Sequence, residues 1–394
     1  MGFGAIIAAG ESNKLLSAQV LDCITEVRVE QSLDEPTRFA LRFQEDIIDG
    51  EPAIGSMPEL QCGQMLAIAV QSGDAIHGLV RGPITDVQCS VMRGGPGSWY
   101  QVNGQDRRVE MDRQCVRRAW SGRASAAAET ILTQTFDRVQ VEQTNLIYGA
   151  PRSGTSQISQ TLNQRTTNAA FIRQIARQNN LQFWLEYECQ LNGLDPTSQS
   201  LDITETANLK PSPPRPNGAT AGASPVDLMQ LVPTVAVALR VNVEPAQCPN
   251  VTAFDLTENP ERPNQFAGTA IDDSNLQEHP TSATDLQPAI RQDGTGLTNS
   301  GVQRDVCITT AGNPTELQNW AEAALTEAGW FVSATASTTV YMLGDVLMPH
   351  DVIEVEGLGS KHSGPYQVSA VTHVINAADH FMDIQLRRNA TGGE

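Results

Sequence analysis

The chain has 394 residues, of which 18% are charged and 5% aromatic, and its formal net charge is −19. This length predicts two to four domains with cores of their own. The acidic balance argues against a surface that grips nucleic acid, because phosphate contacts need clustered Lys and Arg. No apolar run approaches the ~18 residues that a membrane-spanning helix needs.

The cysteines are scattered, odd in number and never arranged as a CxxC pair. This pattern favours free thiols over a disulfide framework or a zinc site. We therefore expect assembly in a reducing cytoplasm. The seven cysteines are Cys23, Cys62, Cys89, Cys115, Cys189, Cys248 and Cys307.

The N-terminal half begins with an apolar segment and a β-rich region. Residues 1–19 open with MGFGAIIAAG, which has no basic residue and is more typical of an element that docks on the protein or a partner than of a signal peptide. Residues 20–110 predict a first small β-barrel, because apolar and polar residues alternate there with a period of two. The candidate strands are residues 24–30, 38–44, 65–70, 75–87 and 99–104.

The middle of the chain changes in character. Residues 111–230 predict an α+β insert domain with helices over 125–136 and 166–180, the second followed by the strand LQFWLEYE. The Pro-rich run KPSPPRPNGATAGASP lies in a stretch, 190–230, that predicts a long loop. Residues 231–313 are polar and rich in turn formers, and predict short strands and ordered loops after a strand at 235–243.

Residues 314–394 predict a second small barrel with a helix before it. The helix has an apolar stripe and ends at Gly329, a residue type favoured directly after a helix. Ile353 and Val355 alternate with polar neighbours, as in a half-buried strand. The alternation slips after Val371, which predicts a β-bulge.

Two parts of the sequence echo each other. GQMLAIAV from Gly63 is similar to GDVLMPHDVIEV from Gly344, and ITDV at 84–87 is similar to VTHV at 371–374. The echo predicts an internal duplication, although any two small barrels share some of this pattern. The predicted fold class is mainly β with an α+β insert: two similar small antiparallel β-barrels separated by an insert domain of helices, strands and long loops.

The pattern of helix, strand and GDVL…IEV…GPYQVSAVTHV…MDIQLRR resembles the C-terminal barrel of phage tail baseplate hub proteins. These are the late-control protein D family and the hub portion of VgrG-type spike proteins. ARQNNLQFWLEY resembles part of the insert domain of the same families. The resemblance covers roughly residues 20–185 and 314–390.

The resemblance implies a structural baseplate hub protein of a contractile tail or phage-like injection particle, and both kinds of particle remain open. In such hubs, three copies form a pseudo-six-fold adaptor between the hexameric tail tube and the trimeric spike. The implied partners are two further copies, the tail tube protein, a separate spike protein and baseplate wedge proteins. The implied location is the tail baseplate, assembled in the host cytoplasm, with DNA or other cargo passing through an acidic channel.

The sequence predicts no catalytic, cofactor-binding or metal-binding residues, and no enzyme. GAPRSGTS at 149–156 lacks the Lys of a phosphate-binding loop, and Glu354 and Glu356 lie on the wet face of one predicted strand. The histidines of the last barrel have no HxH or HxxxH spacing. Ser363, His373 and Asp383 are the residue types of a catalytic triad, but no nucleophile elbow in the sequence supports one.

The alternative function is a tail-associated protein that binds carbohydrate or hydrolyses glycan or peptidoglycan, using loops between residues 190 and 310. Against it, the five Trp and five Tyr residues lie mainly in predicted helices and strands.

Overall fold

The computed structural model describes residues 4–33, 35–45, 47–48, 51–93, 97–149, 161–193, 199–211, 237–244, 247–271, 277–284, 290, 294–297, 301–311 and 314–392. Its helices, α1 to α7, are Ala18–Leu21, Arg108–Met111, Ala124–Leu132, Asn168–Gln178, Pro314–Ala328, Val340–Leu343 and Gly359–His362. A 3₁₀ turn spans Pro58–Leu60. The strands β1 to β27 are Ala5–Ala9, Lys14–Leu15, Ile24–Ser32, Arg38–Gln44, Ile47–Ile48, Glu51–Pro52, Met65–Ser72, Ala75–Ser90, Trp99–Gln105, Arg118–Trp120, Gly122–Arg123, Arg138–Val141, Ile147–Tyr148, Leu162–Gln164, Gln182–Asn192, Ser200–Lys210, Ala238–Arg240, Ala253–Glu258, Gln265–Ile271, Glu278–Thr284, Gly294–Gly296, Asp305–Ala311, Val332–Thr339, Val352–Glu356, Gly364–Asn376, His380–Arg388 and Ala390–Gly392.

The first unit is an antiparallel sheet of six strands in the spatial order β1-β7-β8-β9-β4-β3. Period-two alternation places one face of each strand inside, so the sheet curls around a core of its own. That core includes Ile7, Val27, Val29, Phe39, Leu41, Phe43, Leu66, Ile68, Val80, Ile84 and Val102.

The second unit has the spatial order β17-β24-β25-β26-β23-β18. When the strands of each unit are numbered by their order along the chain, the two spatial orders are the same. One strand departs: β17 runs parallel to β24, whereas β1 runs antiparallel to β7. The second core includes Phe331, Val332, Ile353, Val355, Tyr366, Val368, Val371, Met382, Ile384 and Leu386. The predicted fold class, with two similar small barrels, is confirmed.

The insert has a third core between α3, α4 and the strands β12, β15 and β16. Thr167 begins α4, since its side chain accepts a hydrogen bond from the backbone N–H of Ala170 at 3.2 Å. The prediction of a loop across residues 190–230 is wrong for β16, which pairs with β15 along its full length. Most of the Pro-rich run lies outside the described residues.

The N-terminal segment is not separate from the β structure. β1 pairs with β7, and β1, β2, β16, β15, β8 and β7 follow one another around a closed antiparallel ring. Ala8, Ala67, Ala69 and Leu201 pack inside this ring, where small side chains let the strands approach closely. The ring therefore ties residues 1–19 and the insert to the first unit.

Helix α5 packs away from the second unit. It begins at Pro314, and the Gly329 N–H donates to the carbonyl of Leu325 at 2.8 Å, as predicted for its end. Its apolar stripe covers a three-stranded sheet of β20, β19 and β22 instead of the second unit, to which the sequence assigned it. The division into domains stays a prediction at its other boundaries.

Candidate assembly interface

The two units match in local backbone detail. Pairing between β8 and β9 slips between Ile84 and Asp86, and pairing between β25 and β26 slips between Val368 and Ala370. In both units the residue before the slip makes two backbone hydrogen bonds of 2.8 to 3.0 Å to the two residues that lie just before or next to the start of the preceding strand, β7 or β24. These partners are residues 63–64 in the first unit and 350–351 in the second.

The matched bonds correct the predicted alignment. Gly63 (φ 87°) corresponds to His350 (φ 79°), both in the left-handed region, and not to Gly344. ITDV at 84–87 then corresponds to VSAV at 368–371, three residues before the predicted VTHV. The echo was predicted correctly as a duplication of strand order but with the wrong register.

Within the chain, the two units join edge to edge. Residues 26–32 of β3 pair antiparallel with residues 370–376 of β25. β25 has two roles along its length: residues 364–367 pair with β24 of its own unit, and the part after the slip pairs with the first unit. This junction is closed, since Val27, Val29, His373 and Ile375 are at most 1% exposed.

A polar cluster lies in the junction. His373 Nδ1 lies 3.0 Å from His380 Nε2, and His373 Nε2 lies 3.1 Å from Gln31 Oε1. The Gln31 amide donates in turn to the carbonyl of Leu79 at 2.8 Å. Burial lowers the pKa of His373 well below its usual value, with a smaller contribution from His380, and burial lowers the pKa of His380 to about 4. Both rings are therefore neutral at pH 7, and His373, oriented by its bond to His380, joins the two units through its hydrogen bond to Gln31.

The equivalent edge of the first unit lacks a partner in the described part of the chain. Residues 75–83 of β8 pair with β7, but residues 86–90 pair only with β9 among the described strands. Just beyond them, Val91 is 64% and Met92 53% exposed. β18, which corresponds in position to β3, pairs only with β23 among the described residues. One chain thus has one closed junction and the two halves of a second.

Ser363, His373 and Asp383, which the sequence does not favour as a catalytic triple, each have other partners. The Ser363 hydroxyl accepts from the backbone N–H of Leu358 at 3.0 Å, and Asp383 accepts from the Ser337 hydroxyl at 2.7 Å. His373 faces His380 and Gln31, as described above. The structure therefore does not assemble the triple into a relay.

The other suspected residues are also dispersed. His350 stacks on Trp184 with ring centroids 4.0 Å apart, and burial lowers its pKa to about 3. Glu356 lies 3.4 Å from Arg240 in an exposed ion pair. Among the described residues no three His, Cys, Asp or Glu side chains gather in a group that could hold a metal ion. The run GAPRSGTS lies, after Gly149, outside the described residues.

One buried polar node went unnoticed in the sequence. The Arg108 guanidinium donates to both carboxylate oxygens of Asp106, and also to the carbonyls of Phe183 and Glu35. Asp106 is 0% and Arg108 5% exposed. The node fastens the insert to the end of β9. Its only signal in the sequence is the charged tripeptide DRR at 106–108, a pattern that is equally typical of a solvent-exposed turn.

No helix in the described ranges is both long and apolar enough to cross a membrane. No protein-family model matches the sequence, and no curated protein matches it either.

Solved structures do match the fold over nearly the whole chain. A tail protein from Neisseria meningitidis MC58 matches at a TM-score of 0.62 and 13% identity, over 98% of this chain and 96% of that one. The 43 kDa tail protein of prophage MuSo2 from Shewanella oneidensis matches at 0.57 and 14%, over 98% and 99%. A chain of the lidded Francisella PdpA-VgrG complex matches at 0.53 and 12%, over 99% of this chain and 53% of that one. The resemblance to tail hub proteins is thus confirmed in the fold: this chain has the architecture of these tail and VgrG-complex structures.

Proposed function

We propose that this chain is a structural baseplate hub protein of a contractile tail or phage-like injection particle. Three copies form a pseudo-six-fold adaptor between a hexameric tail tube and a trimeric spike. The observation that carries the proposal is the pair of units with one strand order and one register slip in a single chain. Three such chains present six similar modules, as a six-fold partner requires, while keeping the three-fold symmetry of a spike.

The fold neighbours named as tail proteins support a place in a tail particle. The proposed partners are the tail tube protein, a spike protein and baseplate wedge proteins.

All seven cysteines are free thiols, which suits assembly in a host cytoplasm before release. A structural role accords with the dispersal of the suspected catalytic residues into unrelated contacts.

The net charge of −19 supports an acidic channel through the trimer. A wall of like charge repels DNA and prevents a passing polyanion from adhering. The purified protein should accordingly show no DNA binding at physiological salt.

The test is a count of copies on the particle axis. We expect image reconstruction of the particle to place three copies at the base of the tube, with both units of each copy in one ring. Native mass measurement of the purified chain should give a trimer. Six copies per particle, or a position away from the axis, would refute the proposal.

A further inference from the structure

The closed junction inside the chain predicts the geometry of a second junction between chains. Strand pairing relates the first unit to the second residue by residue: β8 corresponds to β25 with an offset of 284, because 84 and 86 match 368 and 370 at the slip. Leu41 corresponds to Ala336, because each lies one strand away from the matched positions 87 and 371, across Val102 and Ile384 respectively. Val27 opposes Leu41 as Phe254 opposes Ala336, so β3 corresponds to β18. The offset for β3 and β18 is therefore 227 (254 − 27).

Applying the two offsets to the residue pairs of the closed junction gives the residue pairs expected in the second junction. In the closed junction His373 opposes Val29, and Ile375 opposes Val27. Subtracting 284 from the β25 positions gives Cys89 and Val91. Adding 227 to the β3 positions gives Leu256 and Phe254.

We propose that β18 of one copy pairs antiparallel with residues 86–92 of the next copy, with Cys89 opposite Leu256 and Val91 opposite Phe254. This deepens the proposed function and rests on it, because a ring of three copies supplies every β18 with a neighbouring β8. A free strand edge is a template for such pairing, and edge addition is a common mode of association.

Exposure supports the assignment at each matched position. Val91 is 64% exposed, whereas its counterpart Ile375 is 1% exposed. Cys89 is exposed, whereas its counterpart His373 is 0% exposed. Phe254 and Leu256 are half-buried, whereas Val27 and Val29 are fully buried. The apolar positions that the closed junction covers are thus uncovered here, as expected of an interface whose partner is another copy.

The charges also suit this register. Ser90 falls opposite Asp255, Gln88 opposite Thr257 and Val87 opposite Glu258, so neither acid of β18 faces another acid. Like charges directly opposite each other destabilise strand pairs. In a chain of net charge −19, this register therefore brings no acid of residues 86–92 opposite an acid of β18.

A disulfide tests the register. Directly opposed residues of an antiparallel pair have Cα atoms ~4.5–5.5 Å apart, within reach of a disulfide. We expect Leu256→Cys to form a bond with Cys89 of the neighbouring copy under mild oxidation, giving covalent trimers on a non-reducing gel. Thr257→Cys, whose side chain points to the other face, should stay uncrosslinked. Leu256→Cys combined with Cys89→Ser should also stay uncrosslinked, which excludes the other thiols.

A second variant tests the surface without a crosslink. Val91→Asp places a charge at a position that is exposed in the single chain, so the folding of the variant should be unchanged. The protein concentration at which half of the chains are trimeric should rise at least tenfold. Ile147→Asp is the matched control, because Ile147 is also exposed, at 53%, and lies outside both edges. Trimers that persist in Val91→Asp and do not crosslink through position 256 would overturn the pairing and leave the hub proposal standing. A wild-type chain that is monomeric at all concentrations would overturn both.

Discussion

The buried node at Asp106 and Arg108 gives a stability prediction that the structure makes quantitative. Arg108→Met keeps the apolar stem of the side chain and removes the guanidinium, leaving the Asp106 carboxylate buried with its backbone donors only. Those donors are the N–H groups of Thr37, at 2.7 Å, and of residue 108, at 2.9 Å. An ionised group that loses its only partner charge in the interior costs ~3–5 kcal/mol.

The geometry supports a value near the middle of that range. Arg108 Nε donates to Asp106 Oδ1 at 3.1 Å and Nη2 donates to Oδ2 at 2.6 Å, so the pair is bidentate and charge-assisted. Its loss also leaves the carbonyls of Phe183 and Glu35 without this donor. We expect the free energy of unfolding to fall by ~4 kcal/mol, measured from the urea midpoint of the transition that includes the first unit.

The matched control is Arg138→Met. Arg138 also pairs with a carboxylate, Glu188, at 2.7 Å, but the two side chains are 57% and 67% exposed. An exposed pair contributes ~0–1 kcal/mol. The double variant Asp106→Asn with Arg108→Met should be more stable than Arg108→Met alone, because it removes the stranded charge. Equal effects of Arg108→Met and Arg138→Met would refute the reasoning.

Two further changes test the junction and the packing of the first unit. The folded-state pKa values of His373 and His380 lie below the unfolded value of ~6.5, so the unfolded chain takes up protons first as the pH falls, and the free energy of unfolding should decline from about pH 6.5 down to about pH 4. Replacing both residues by Gln should flatten this decline in unfolding midpoints measured across that window, and an unchanged slope would contradict the assignment. Gly104→Ala would place a Cβ 2.1 Å from the ring of Phe39, which should cost ~1–3 kcal/mol in thermal or urea unfolding. Gly296→Ala, whose nearest contact is at 3.9 Å, should cost little, and an equal loss in both would show that the close approach at β9 is not the cause.

The parts of the fold that were predictable are those with local signals. Alternating apolar residues mark β4, where Phe39, Leu41 and Phe43 all face one core. The cap at Thr167 and the glycine after α5 mark helix ends within a residue or two. Each of these signals depends only on residues that are close in sequence, so it can be recognised without knowing the tertiary structure.

β16 shows why other parts were missed. Its buried residues include Glu205, Thr206 and Asn208, which are at most 4% exposed, so the strand does not read as apolar. Glu205 is accommodated because Arg107 and Arg81 lie 2.6 Å and 3.4 Å from its carboxylate. Those partners are distant in sequence, and a hydrophobic pattern cannot reveal them.

The interface was half predictable for a similar reason. The echo between the units is a property of sequence, but its register depends on loop lengths. A two-residue turn joins β7 to β8, whereas α7 and its flanking glycines join β24 to β25. The match predicted from Gly344 therefore begins too early in the second unit, and the backbone bonds at positions 63 and 350 correct it.

In the proposed ring, the places where the duplication fails would let one chain serve two symmetries. Between β3 and β4 the first unit has a short loop, whereas the matching strands β18 and β23 are separated by the sheet that α5 covers. The first unit instead ends β9 at the Arg108 node and continues into the insert. If equivalent junctions close the ring, all six modules share their paired edges, and these insertions, with the parallel pairing of β17 and β24, distinguish odd modules from even ones. A partner that touches only the shared strands then meets six-fold order, and a partner that touches the insertions meets three-fold order.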